Sequence, residues 1–145
     1  MSDTDNGKLC ATPEQNGNKP VSATRCTPGT KPDCSSEVNQ AARIRVLNDR
    51  LRSEGRDGMV VMTNGIAALG LPTVNAIFKA IAGFSAFTGD NDPYGEHDCA
   101  VMEAEGHRII WKIDYYDRCR AYHSPDAANP KVTVRVLTVM LAEEY

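Results

Sequence analysis

The stretch "DCAVMEAEGHRIIWKIDYY", residues 98–116, decides the fold. Two apolar-rich runs flank Glu105-Gly106, and a glycine at that point supplies the turn of a β-hairpin. With a two-residue turn, Ala104 faces His107 and paired residue numbers sum to a constant. That register sets Ala100 and Met102 beside Trp111 and Ile109 on one face. The other face pairs Glu103 with Arg108, Cys99 with Lys112 and, by extension, His97 with Asp114. Charge pairing and core pattern agree, which supports the register.

The flanking segments fit around this hairpin. Val38, Ala41, Ile44, Leu47 and Leu51 recur every three or four residues, which predicts a helix over about 37–54, with Ser35 or Ser36 as cap and Gly55 as stop. "GMVVMT" (58–63) is short and β-branched and reads as a strand. "NGIAALG" turns the chain, Pro72 opens a second helix over about 72–82 with Val74, Ile77, Phe78 and Ile81 inward, and Gly83 ends it. "KVTVRVLTVML" (131–141) is apolar on both faces, as a central strand is. The order α-β-α-β-β-β predicts an α+β domain over 36–145, with two helices on one face of a mostly antiparallel four-stranded sheet. Residues 1–35 are rich in Pro, Gly, Ser, Thr and Asn with few large apolar side chains, and read as a disordered tail.

Composition limits the function classes. The chain has 145 residues and a net charge of −3, which disfavours bulk electrostatic binding to nucleic acid. No apolar run is long enough to cross a bilayer, so no membrane partner is expected. The start "MSDTDNGKLC" lacks a signal-peptide pattern, which predicts a cytoplasmic protein. Five cysteines, an odd number with no C-x-x-C pair, argue against a closed disulfide framework and read as free thiols. Cys119, between Arg118 and Arg120, is a thiolate setting, and Lys112 opposite Cys99 lowers the pKa expected for that thiol.

The chemistry-bearing stretch is "TGDNDPYGEHD", residues 88–98, which places Asp90, Asp92, Glu96, His97 and Asp98 together with no basic side chain. As a calcium loop starting at Asp90 it has Gly95 in the sixth place, but Val101 stands where a bidentate Glu is needed. A looser site has His97, Asp98, Asp114 and Asp117 converging at the open end of the hairpin with Asp92 folded over. Carboxylates and an imidazole ligate manganese, iron or zinc, so a divalent metal is the cofactor such a site would take. Asp114 would orient His97 for acid–base work, making a metal-assisted hydrolase or nuclease. No cofactor is predicted otherwise. The competing account is that Asp and Asn shape turns through bonds to nearby amides, with His97 and Asp114 a cross-strand ion pair. The segment "DYYDRCRAYH" mixes Tyr115, Tyr116 and Tyr122 with Arg118 and Arg120, residue types at home in protein interfaces and on single-stranded nucleic acid. Arg43, Arg45, Arg50 and Arg52 lie on the outer faces of the first helix and form a weaker candidate surface for nucleic acid.

"NDRLR", "DNDPYGEHD", "WKIDYYD" and "RVLTVMLAEEY" occur in that order. Together they resemble a family of small alphaproteobacterial proteins known only as a domain of unknown function, over about residues 42–145. The resemblance brings no reaction, cofactor or catalytic residue. It implies an accessory role, since such proteins are often encoded on plasmids and other mobile elements. The expectation is a small cytoplasmic interaction protein that binds a protein partner through the acidic loop and the Tyr/Arg segment. Competition for a nucleic-acid-binding protein, as in counter-defence, is the extension that an acidic face suggests.

Overall fold

The computed structural model describes residues 34–145, and the sheet, every site and, apart from the first four residues of the first helix, its helices belong to the unit Val38–Tyr145. Helix α1 (Cys34–Glu54) precedes strand β1 (Gly58–Met62), the one-turn helix α2 (Asn64–Ala67) and helix α3 (Leu71–Ala82). Strands β2 (Cys99–Ala104), β3 (His107–Tyr116) and β4 (Val134–Leu141) follow, and a 3-10 turn over Ala142–Glu144 ends the chain. The sheet order is β1-β4-β3-β2. β1 runs parallel to β4, while the β4–β3 and β3–β2 pairs are antiparallel. The fold is therefore α+β, with helices packed against a mixed sheet. The expected tail lies outside the described residues, apart from Cys34 and Ser35, which α1 takes in.

The hairpin register is the expected one, from Cys99↔Lys112 to Ala104↔His107. Glu105 and Gly106 both have positive φ, 52° and 80°, the twist that matches a two-residue hairpin to its strands. Ile109, Trp111 and Ile113 of β3 and Leu137, Val139 and Leu141 of β4 point to one face. Leu51 of α1, Ile66 of α2 and Val74, Ile77 and Ile81 of α3 bury themselves against that face. Burying a side chain of this size contributes about 1.5–3 kcal/mol. β1 enters close beside α1 because residue 58 is glycine. A Cβ there would stand 2.7 Å from the Arg135 carbonyl oxygen and 2.9 Å from Leu51 Cδ2.

Three local readings change. "NGIA" is a helical turn with Ile66 fully buried, not a plain connection. The expected stripe of α1 narrows, since Ile44 and Leu51 are buried while Val38 is exposed. Between them sits Asn48, polar and fully buried.

Candidate functional site

The loop between α3 and β2 folds onto its own acids. Asn91 Oδ1 accepts the Thr88 amide at 2.7 Å, and Asn91 Nδ2 donates to the Ala86 carbonyl. Asp92 is buried, and its carboxylate accepts the amides of Glu96 at 3.0 Å and His97 at 3.2 Å. Such side-chain-to-amide bonds are the reason Asp favours turns. They hold His97 at φ 55°, a left-handed backbone that few residues with a side chain adopt.

That backbone turn aims the imidazole at α1. His97 Nδ1 lies 2.9 Å from Asp49 Oδ1, and Nε2 lies 3.8 Å from Asp92 Oδ2. The ring stacks on Phe87, with centroids 3.7 Å apart and planes 6° from parallel. Asp49 also receives Arg52 Nη2 at 2.8 Å. Arg52 Nη1 donates to the carbonyls of Ile81 and Phe84, at 2.5 and 3.0 Å, so one guanidinium closes the C-terminal end of α3. Its plane lies over Phe87 and Trp111.

Beneath the loop runs a polar chain through the core. Arg135 is fully buried on β4, and its Nε donates to Asn48 Oδ1 at 2.9 Å. Asn48 Nδ2 donates to the Glu96 carbonyl and to the Tyr115 hydroxyl. The Tyr115 hydroxyl donates to Glu96 Oε2 at 2.9 Å. Arg135 also donates to the Ala127 carbonyl and stands over the Tyr115 ring. Burial lowers the pKa of Arg135, with the nearby Tyr115 and Glu96 opposing. Burial raises that of Glu96, while the Tyr115 bond opposes it and the charges of Asp98 and Asp92 add to it. Burial likewise raises Asp98, against a bond from its own amide, and raises Tyr115.

The expected convergence of His97, Asp98, Asp114 and Asp117 does not form. His97 is held at α1, on the helix side of the sheet. Asp114 is on the opposite face, 2.8 Å from Lys112. Asp117 accepts the amides of Ala121 and Tyr122 and shapes a turn. The His97–Asp114 cross-strand pair is absent for the same reason, because β2 begins at Cys99 and His97 has left the ladder. Among the described residues, no group of three or more His, Cys, Asp or Glu side chains is placed to hold a metal ion. Asp90 and Tyr94 are exposed at the tip of the loop.

The arginines of α1 are mostly engaged. Arg45 Nη1 reaches the Gly95 carbonyl at 3.4 Å, Arg50 pairs with Asp57 at 3.1 Å, and Arg52 is turned inward with 6% of its side chain exposed. The outer face expected for all four is thus not continuous. Cys119 is disulfide-bonded, which corrects its reading as a thiolate, and burial raises the pKa of Cys99 in spite of Lys112.

The Tyr/Arg segment divides between faces. Tyr115 joins the buried chain, whereas Tyr116 points to the far side with Val134. Arg118 and Tyr122 are exposed, and Arg120 Nη1 comes 3.1 Å from Met59 Sδ. This far side is built by strand alternation. It carries Met59 and Val61 of β1, Val136 and Thr138 of β4, Ile110 of β3 and Val101 of β2. Met59, Val61 and Val101 are exposed, and the helices pack from the other side.

Asn48, Asp49 and Arg135 were missed as partners of the loop. The sequence carries a signal for two of them. Asn48 interrupts the apolar spacing between Ile44 and Leu51, and Arg135 shares the strand parity of Leu137, Val139 and Leu141.

Among the described residues no helix is long and apolar enough to cross a membrane. Comparison with curated proteins and with solved structures returns no match. A family model does match, over residues 62–144. It begins later than the resemblance from residue 42, so α1, which carries Asn48, Asp49 and Arg52, precedes it. By that match, which takes in α2, α3 and all of β2, β3 and β4, the chain belongs to the family described as "Protein of unknown function (DUF3768)".

Proposed function

We propose that this domain is a protein-interaction module whose docking surface is the far face of the sheet. The observation that carries the reading is the exposure of Met59 and Val61 on one edge strand and of Val101 on the other, on a sheet face opposite the one against which the described helices pack. Between the two edges the face continues through the half-buried Val136, Thr138 and Ile110, and an extended apolar face, unlike scattered apolar residues, marks a contact surface. Tyr116 and Arg120 belong to the end of this face, so the expected Tyr/Arg surface is retained in part. Asp90 and Tyr94 of the acidic loop are exposed but do not belong to this face. The loop's remaining acids are engaged with amides, His97 or Tyr115 and are poorly suited to a partner.

The test is site-specific photocrosslinking in living cells that express the chain. A benzophenone amino acid replaces Val61 in one variant and Asp90 in another. The reading expects protein adducts from position 61 and few from position 90. Adducts only from position 90 would return the surface to the acidic loop, and none from either would end the interaction reading.

A further inference from the structure

We infer that the occupant of the far face is a second copy of this chain, packed sheet against sheet about a two-fold axis. The inference rests on the proposed docking face and adds its partner.

The first support is charge. The middle of this face carries one cation and one anion, Lys112 and Asp114, at successive outward positions of β3. They pair within the strand at 2.8 Å, with about a third of each side chain still exposed. The Asp114 bond raises the pKa of Lys112, so the lysine stays charged at neutral pH. A partner with a net charge of either sign would leave one of the two opposed. A partner that presents the same two charges in reverse order satisfies both. A second copy does so by symmetry. Let a two-fold axis lie between the two faces, across the strands, level with Ile113. It then sets Lys112 of each copy over Asp114 of the other, and two in-strand pairs become a closed ring of four charges.

The second support is the match of the remaining rows. The same axis sets Thr138 over Val136 and Ile110 over Tyr116 of the second copy, with Met140 already buried within each chain. Apolar rows therefore meet apolar or aromatic rows on both sides of the charged centre. Isologous pairing of this kind is the commonest form of association between identical chains. Facing sheets stand about 10 Å apart, a gap that side chains of these sizes fill from both sides.

The third support is area. Four strands of five, six, ten and eight residues, about 4.8 Å apart with a rise of about 3.3 Å per residue, give a face of roughly 450 Å². Two copies bury roughly 900 Å², short of a stable interface and in the range of weak, transient ones. The geometry therefore points to a reversible dimer.

Sedimentation of the full-length chain over a concentration series tests this, with a non-reducing gel to separate covalent species. Wild type is expected to dimerise reversibly. Lys112→Asp alone and Asp114→Lys alone should each be monomeric, because each sets like charges face to face, with dimer affinity down at least tenfold. An equimolar mixture of the two variants restores both crossed pairs and should dimerise again. The double variant Lys112→Asp/Asp114→Lys keeps every pairing and should dimerise as wild type does, which also shows that the substitutions permit folding. A monomeric wild type overturns the inference. So does a dimer indifferent to the single reversals, or a mixture that stays monomeric while the double variant dimerises. The crosslink at position 61 separates this failure from that of the docking face. Adducts heavier than the chain but not twice its mass, with a monomeric wild type, keep the face and remove the second copy. Absence of any adduct removes both.

Discussion

Between Thr88 and Asp98 the chain turns its acids onto its own backbone, whereas across the far face of the sheet it leaves Met59, Val61 and Val101 to water. The polar region is the internally satisfied one and the apolar region is the unsatisfied one. By residue type alone the assignment would be reversed. A carboxylate that accepts two amides has its bonding complete, and a partner would have to break those bonds to use it. An apolar side chain has nothing to complete except by leaving water. The comparison teaches that the number of charged residues in a loop says less about binding than where their bonds already go.

Asp90 and Asp92 divide this contrast within three residues. Asp92→Ala removes the acceptor for two amides and the support for the left-handed His97. The expected cost is about 2–3 kcal/mol, read as a lower urea midpoint with unchanged slope. Asp90→Ala, at an exposed position, should shift stability by no more than about 0.5 kcal/mol. Equal and small effects would break the comparison, because the loop acids would then be free for another task. A charge reversal at both positions is thus a poor probe of binding, since Asp92 carries the fold of the loop.

The strands were legible in the sequence because their signals are local. Glu105-Gly106 set the hairpin register, and β-branched runs marked β1 and β4. The destination of the loop was not legible. His97 reads as a ladder residue until its φ is known, and that φ depends on Asp92, five residues earlier, and on Asp49, in a helix 48 residues away. Long-range partners leave little trace in one sequence. Arg135 did leave one, as a charge at core parity in an apolar strand. The open face left a second in β4, whose two apolar sides fit cover on both faces as well as a central place.

Glu96 sharpens the contrast through pH. Its carboxyl is raised above the ordinary 4.5 mainly by burial, and Asp98 shifts in the same direction. The native state therefore holds more protons than the unfolded chain between the ordinary and the raised value. Stability falls as pH rises through that window and carries the full cost above it. Glu144 has the opposite sign, since the Thr63 hydroxyl holds it low, and its contribution is lost as pH falls through its folded value. Glu96→Gln keeps an acceptor for the Tyr115 hydroxyl and removes the charge. The difference in stability between wild type and this variant, followed from pH 7 into acid, should shift in favour of wild type as Glu96 is protonated. A variant less stable than wild type at neutral pH by more than about 1 kcal/mol would show that the Tyr115 bond to the charged carboxylate outweighs its burial.

The smallest expected effect tests the other side of the comparison. Val61 lies on an edge strand, 38% exposed, and pairs with Thr138 on the far face. In a single copy, Val61→Lys exchanges one exposed side chain for another. At high dilution its unfolding midpoint should stay within about 0.5 kcal/mol of wild type. Association makes wild-type stability depend on concentration, because whatever binds the folded state alone stabilises it by mass action. A lysine on the apolar face weakens that association. The wild-type midpoint should then rise with concentration and the variant midpoint should not. A large loss at high dilution would mean that Val61 is part of the folding core after all. A midpoint that rises equally in both chains would place the association away from this face. The value of the measurement lies in the near-zero difference at dilution, since a residue that contributes little to one copy and much to two is an interface residue by its energetics.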